Sequence, residues 1–168
     1  MNTKHFLFGA LLLTSPAFAA DSVRLTTPVS GVVKAVFVEA GQRVNKGDKL
    51  LALDDVRYQA KLMEAEAGVT RSKQEADDAD KDLKRAEELY ARGVSSTTEL
   101  DAVKLRHVRA GASLKEAQAR QIIAQKNLDD TVLKAPFDGV VKSREAEPGM
   151  FVPAELNPPV LLILNKAK

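Results

Sequence analysis

The feature that most constrains the fold is a seven-residue repeat of apolar and small residues between about Asp55 and Thr131. In the first half of this stretch, the two tracks of the repeat are Leu62, Val69, Ala76, Leu83, Tyr90 and Ala65, Ser72, Ala79, Ala86. A heptad repeat sustained in this way is typical of a coiled-coil seam. The pattern therefore predicts a long helix that packs along one face.

The second half repeats the pattern less regularly, after a turn. Its tracks are Leu100, His107, Leu114, Gln121, Leu128 and Val103, Ala110, Ala117, Ala124. Gly93 suits the left-handed backbone just past a helix end, and Ser96 with Glu99 forms a capping box that starts the next helix. We therefore predict an antiparallel helical hairpin over 55–131, with its tip near 92–96. Two helices of roughly 35 residues make a rod about 50 Å long, with no pocket for a substrate.

The first residues have the pattern of an export signal. Lys4 precedes an apolar run over 6–13, and Ala17-Phe18-Ala19 has the small-x-small order read by signal peptidase. We predict a cleavable secretory signal peptide over 1–19. The alternative is an uncleaved membrane anchor, but the run is shorter than the ~20 residues that span a bilayer.

Composition and motifs argue against several classes of function. Lys and Arg number 25 against 23 Asp and Glu, and this balance does not favour nucleic acid as a partner. The chain has no Cys, which removes disulfides and thiolate metal sites. His107, the only His after the predicted signal, falls on the seam. Without a nucleophile–base arrangement, phosphate loop or metal-ligand cluster, we predict no enzyme activity, no cofactor and no metal.

The segments on either side of the hairpin repeat each other. The first reads PVSGVVK from Pro28 and EAGQRV from Glu39; the second reads PFDGVVK from Pro136 and EPGMFV from Glu147. Each copy predicts short strands, closed by strands over 50–53 and 160–164, and neither copy can bury a core alone. Together, 23–54 and 132–165 predict a small β-sandwich with approximate two-fold symmetry.

The repeated P-x-x-G-V-V and E-x-G-x-x-V resemble the two half-motifs of a biotinyl/lipoyl-type domain. Split around a coiled-coil hairpin and preceded by a signal peptide, they resemble the periplasmic adaptor, or membrane fusion protein, family of Gram-negative tripartite efflux and secretion systems, which includes HlyD-like and RND adaptors. The resemblance implies an α+β fold, with the hairpin inserted between the halves of the sandwich. It also implies a periplasmic protein that links an inner-membrane transporter, of RND or ABC type, to a TolC-like outer-membrane channel.

A second motif lies at the predicted tip. Adaptors that dock on TolC-like channels carry an Arg, a Leu four residues later and a Ser seven residues after that, and this chain has Arg85, Leu89 and Ser96 at that spacing. The resemblance implies that these residues dock on the channel. The guanidinium of Arg85 offers donors to carbonyls or carboxylates, and Leu89 offers an apolar knob. The local alternatives are a solvated Arg85, a Leu89 within the seam and a Ser96 that caps the second helix.

The family analogy also implies that several copies, six by analogy, pack side by side. Familiar adaptors continue into a β-barrel domain, whereas this sequence stops at Lys168; we therefore expect a minimal form, with a full-length adaptor as one candidate partner. One alternative is an exported coiled-coil scaffold with no channel partner. Another is a carrier domain with a modified Lys, for which Lys49 lies nearest. Gly68 and Gly111 interrupt the helices, where they permit bending or the close approach of a neighbouring hairpin.

Overall fold

The computed structural model describes residues 22–155 and 157–166, so the predicted signal peptide over 1–19 lies outside the described residues. Two long helices, α1 (Val56–Ala91) and α2 (Thr97–Asp129), pack against each other as an antiparallel hairpin. Short strands precede and follow them: β1 (Ser22–Leu25), β2 (Gly31–Val36), β3 (Arg43–Val44), β4 (Lys49–Leu53), β5 (Val132–Lys134), β6 (Gly139–Arg144), β7 (Phe151–Val152) and β8 (Leu162–Lys166). The predicted α+β fold with an inserted helical hairpin is confirmed.

The hairpin packs along the seam that the heptad repeat predicts. Its buried positions are Ser72, Ala79, Leu100 and Ala117. The other predicted seam positions are half-buried, except Tyr90 in the last turn of α1, which is exposed. Small side chains at buried positions let the two helix backbones approach closely.

Two four-stranded antiparallel sheets form the sandwich, with strand orders β1-β8-β6-β3 and β5-β4-β2-β7. The first repeat supplies β1–β4 and the second supplies β5–β8. If each strand is replaced by its counterpart in the other repeat, one strand order becomes the other. Each sheet takes an edge strand from the other repeat, because β3 pairs with β6 and β7 pairs with β2. The registers also agree, with Gly31 opposite Val152 and Gly139 opposite Val44. The sandwich therefore has the approximate two-fold symmetry that the internal repeat predicts.

The core of the sandwich is aliphatic and comes from both repeats. Its buried residues are Val29, Val33, Val38, Val44, Leu50, Leu51, Leu53, Ala135, Val141, Ala146, Val152, Leu161, Leu162 and Leu164. The glycine of each half-motif lies where strands approach closely. A Cβ at Gly139 would fall well inside van der Waals contact with the backbone oxygen of Asn165, and one at Gly31 would lie 3.3 Å from the Cβ of Leu53.

The last strand is displaced from its predicted position. The sequence pattern places it over 160–164, whereas β8 runs Leu162–Lys166. Pro158 and Pro159 stand before it and remove backbone donors. Leu161 directly precedes the strand: its amide donates to the Leu25 carbonyl at 2.8 Å, and its carbonyl accepts hydrogen bonds from the amides of Glu145 and Ala146. Polar residues then complete the strand.

Candidate docking site at the hairpin tip

The tip loop ends α1 with a Schellman motif. Gly93 has φ 73°, the left-handed conformation that the sequence predicts there. Its amide donates to the carbonyl of Tyr90 at 2.9 Å, and the amide of Val94 donates to the carbonyl of Leu89 at 3.0 Å. Two of the carbonyls that a helix end leaves free are thereby bonded within the loop.

The capping box predicted at Ser96 and Glu99 begins α2. The Ser96 hydroxyl accepts from the Glu99 amide at 3.2 Å, and the Glu99 carboxylate accepts from the Ser96 amide at 2.9 Å. The Ser95 hydroxyl donates to the same carboxylate at 2.8 Å. The Ser96 amide, followed by the Ser95 hydroxyl, lowers the pKa of Glu99. Local hydrogen bonds therefore hold the tip in one conformation without a partner.

Arg85 and Leu89 lie one helical turn apart on the same side of α1. The Arg85 guanidinium is exposed and contacts the Asp82 carboxylate at 3.2 Å, and Leu89 is 45% exposed, at the margin of the seam. Ser96 lies across the loop at the start of α2, where its hydroxyl bonds to the Glu99 amide. The structure therefore brings Arg85 and Leu89 together, whereas Ser96 serves as a helix cap in the free chain.

Val94 is a tip residue that the sequence reasoning missed. It is 72% exposed in the loop between the helices, and Leu89 and Tyr90, a few residues before it, are exposed as well. The signal was available, because an aliphatic side chain stands in a loop otherwise made of Arg, Gly and Ser. The tip therefore presents apolar surface beside the exposed cationic side chains of Arg85 and Arg92.

The charged groups of the hairpin form ion pairs along and across the helices. Lys84 lies 2.8 Å from Asp80 and is the main cause of the lowered pKa of that carboxyl. Asp78 pairs with Lys81 at 3.1 Å in the same way, and His107 lies 3.8 Å from Asp80 across the seam.

Among residues 22–155 and 157–166, no cluster of His, Asp and Glu could hold a metal ion. In the same part of the chain, no helix has the length and apolarity needed to cross a membrane.

Comparison with known proteins identifies the family. A family model described as "CzcB-like, barrel-sandwich hybrid domain" matches residues 21–157, which is most of the chain. The chain belongs to this family of membrane fusion proteins. The resemblance read from the half-motifs is therefore confirmed at the level of the family.

Named relatives of this membrane fusion protein are drug-resistance proteins. The "Multidrug resistance protein MdtA" of Yersinia enterocolitica is 28% identical over 145 residues, which are 86% of this chain and 33% of the relative. MdtA of Pectobacterium carotovorum is 28% identical over 148 residues, covering 88% of this chain and 35% of the relative. The chain thus spans about a third of the length of these relatives.

Solved structures of membrane fusion proteins share the fold. A MacA–MexA chimeric protein containing the Pseudomonas aeruginosa MexA α-hairpin domain matches with a TM-score of 0.67 and 25% identity, over 87% of this chain and 46% of the chimera. ZneB of Cupriavidus metallidurans matches with a TM-score of 0.60 and 18% identity, over 89% of this chain and 62% of ZneB. The likeness to ZneB concerns the fold alone.

Proposed function

We propose that this membrane fusion protein is a periplasmic adaptor of a tripartite efflux or secretion system. In this proposal, residues 1–19 export the chain to the periplasm of a Gram-negative bacterium. The sandwich end of the hairpin faces an inner-membrane transporter, of RND or ABC type, and the tip docks on a TolC-like outer-membrane channel. The name of the MdtA relatives, "Multidrug resistance protein", supports drug efflux as the process served.

One observation supports this function above the others: the hairpin ends in a preformed apolar tip far from the sandwich. α1 has 36 residues, which at about 1.5 Å per residue extend roughly 54 Å. Leu89 and Val94 are exposed at its far end, although each would be expected to pack against something in a finished assembly. A long rod with an apolar end suits a bridge between two partners.

In the docked state, we propose that Arg85 exchanges its partner. Its ion pair with Asp82 joins two exposed side chains three residues apart, and such pairs stabilise a helix by only about 0.2–0.5 kcal/mol. A carboxylate or a helix-end carbonyl of the channel can therefore replace Asp82 at little cost. Leu89 and Val94 supply the apolar contact, and Ser96 keeps the second helix capped while its exposed side faces the channel.

The arrangement of copies around the transporter is proposed by analogy with the family. Several copies, six by analogy, surround a lumen through which the substrate passes, and the transporter supplies the energy. A full-length adaptor that works beside this chain is a further proposed partner.

An in-cell crosslink tests this function. A photo-crosslinking amino acid at Ala91, the last residue of α1, lies beside the tip loop and leaves Arg85, Leu89 and Ser96 intact. The expected product is a covalent adduct with a TolC-like channel protein, identified by mass spectrometry. Products that contain only this chain, in cells that make the channel, would instead support an exported scaffold without a channel partner.

A further inference from the structure

The end of the sandwich that lies opposite the hairpin carries exposed cations. The chain leaves β4 for α1 after Leu53 and returns to β5 at Val132. Lys49 and Lys134, at the other end of the same ladder, are direct cross-strand partners. Like charges in this arrangement destabilise a sheet. The fold therefore holds two cations together in a position that does not favour folding.

The second sheet adds cations to the same end of the sandwich. The Lys46 amide donates to the Asp138 carboxylate at 2.6 Å, directly before β6 begins at Gly139. Lys166 of β8 is opposite Gly139, and Arg43 of β3 is opposite the next residue of β6. Five exposed cations therefore define what we call the basic end: Arg43, Lys46, Lys49, Lys134 and Lys166.

The basic end has no ion pair within residues 22–155 and 157–166. Two cations elsewhere in the sandwich do have carboxylate partners. Lys34 lies 3.7 Å from Asp55 at the root of the hairpin, and Arg144 lies 3.6 Å from Glu39. The fold thus pairs cations at other places and leaves those of the basic end without a carboxylate.

The carboxylates of Asp48 and Asp138, which lie at the same end, bond to the backbone. Asp48 accepts from the Asn45 amide at 2.7 Å, and Asp138 accepts from the Lys46 amide. In the described part of the chain, neither carboxylate lies within ion-pair distance of a cation. The charge of the basic end is therefore available to an anion from outside the chain.

We propose that the basic end binds the anionic surface of a phospholipid bilayer through its headgroup phosphates. Clusters of several Lys and Arg are attracted to such surfaces. All of these cations except Arg43 are lysines, and Lys is depleted in protein–protein interfaces. The compact charge of Lys on a flexible stem suits mobile phosphates better than the fixed carboxylates of a protein.

This inference rests on the proposed function for the direction in which the basic end points. With the tip toward an outer-membrane channel, the opposite end of the molecule faces the inner membrane. Contact with headgroups at that end would hold the rod upright, with its tip directed away from the bilayer.

Vesicle cosedimentation of the purified chain tests the inference. The chain is expected to sediment with vesicles of equal parts phosphatidylglycerol and phosphatidylcholine at low ionic strength, and to stay in solution with phosphatidylcholine alone. Binding should be lost in about 1 M salt, where the Debye length is about 3 Å. Equal sedimentation with both kinds of vesicle, or binding that salt does not weaken, would overturn the contact.

Lys49→Glu separates lipid binding from folding. It converts the like-charged pair with Lys134 into a pair of opposite charge, so the melting temperature should stay the same or rise. Binding to the anionic vesicles should nevertheless weaken by about fivefold or more. Unchanged binding by a folded Lys49→Glu chain would overturn the proposal.

A matched pair of double variants separates the basic end from net charge. Lys46→Glu with Lys49→Glu is expected to weaken vesicle binding by more than tenfold. Lys73→Glu with Lys115→Glu changes the net charge equally, at exposed positions of the two helices, and should alter binding by less than about twofold. Equal losses from the two double variants would mean that net charge governs binding, and would overturn a specific role for the basic end.

The channel adduct at Ala91 distinguishes this inference from the proposed function. An adduct without vesicle binding would overturn the lipid contact alone, whereas vesicle binding without an adduct would support the lipid contact and contradict channel docking. A photo-crosslinker at Asn45, in the basic end, covers the remaining case. Adducts there with a transporter protein, from a chain that does not bind anionic vesicles, would show that an acidic protein surface is the partner and that the lipid contact is wrong.

Discussion

Arg85 and Lys84 are neighbours, both exposed and both engaged in an intrahelical ion pair, yet they point about 100° apart around α1. We expect Arg85→Ala to weaken the proposed docking by about tenfold or more, because hydrogen bonds to a charged group contribute about 1.5–3 kcal/mol. Lys84→Ala should leave docking unchanged, because it lies off the Leu89 side of the helix. The yield of the Ala91 crosslink measures both variants; equal losses would contradict a specific role for Arg85.

Glu99 makes the stability of the tip dependent on pH. Its folded pKa lies below the ordinary value because its carboxylate accepts hydrogen bonds from the Ser96 amide and the Ser95 hydroxyl. The Glu99 carboxylate therefore binds a proton more readily in the unfolded chain than in the folded chain. Its contribution to the stability of the folded chain is complete above about pH 4.3 and is lost as pH falls through the lowered pKa.

We expect Glu99→Gln to lose less free energy of unfolding than the natural chain when pH is lowered from 6 to 3 in urea titrations. Glu88→Gln, an exposed carboxyl on the other side of the tip loop, is the control, and it should follow the natural chain. Identical pH profiles for Glu99→Gln and the natural chain would show that the capping box does not contribute in solution.

The glycines separate into two groups with opposite expected effects. Gly68 and Gly111 lie inside helices with open space for a Cβ, so replacing either by Ala should stabilise the chain by roughly 0.5–1 kcal/mol. Gly139 lies against the backbone of Asn165, so Gly139→Ala should be destabilising, because the strands must separate. Urea denaturation of the three variants measures these signs, and a destabilised Gly68→Ala would mean that α1 needs glycine for its own conformation.

At the scale of elements, two leucines of α2 differ in how far they are buried against α1. Leu100 is 6% exposed, whereas Leu105, five residues later, is 49% exposed. We expect Leu100→Ala to destabilise the tip half of the hairpin by about 2–3 kcal/mol and Leu105→Ala by less than about 0.5 kcal/mol. Hydrogen exchange of the amides in 84–105 would report the loss locally, and similar effects of the two substitutions would argue against a packed seam there.

Long periodic elements were predictable and very short ones were not. The heptad phase identified which residues of α1 and α2 meet, because the same spacing recurs over many turns. β3 and β7 have two residues each, and a strand of that length shows no alternation to detect. Their exchange between the halves of the sandwich therefore emerged only in the structure.

The conformation of the candidate tip site was predictable because its sequence signals are local. Gly93 and the Ser96–Glu99 pair are signals contained within a few residues, and the structure has both. Val94 was missed because its exposure depends on how the loop projects beyond both helices. Met63 and Ile122 stand outside the seam in the heptad pattern, and both are exposed in the structure.

At the scale of the whole molecule, both repeats contribute strands to each sheet of the sandwich. The hairpin is an insertion between two adjacent strands. β4 and β5 pair directly, with Leu51 opposite Leu133 and Ala52 opposite Val132. The Leu53 amide also donates to the Thr131 carbonyl at 2.8 Å, so the chain leaves and re-enters the sandwich at one point. None of the buried core residues of the sandwich comes from α1 or α2.

We therefore expect the sandwich to fold without the hairpin. Replacing residues 54–130 by an Asn-Gly turn, which suits a tight β-hairpin, removes the Tyr58 hydroxyl bond to the Ser30 carbonyl and the Lys34–Asp55 ion pair. The shortened chain should lose the helical signal in circular dichroism and still unfold cooperatively on heating.

The control is a chain that begins at residue 54 and keeps the hairpin and the second repeat. It lacks β1, β2, β3 and β4, so β5 and β7 have no partner strand and β6 and β8 each lose one neighbour. We expect no cooperative unfolding of β-structure from this chain. If the hairpin-free chain also failed to fold, the helices would be needed to stabilise the sandwich, and Tyr58 of α1, which packs against its core, would be the first contact to test. The hairpin could then not be a rigid arm that transmits force or position independently of the domain that carries it.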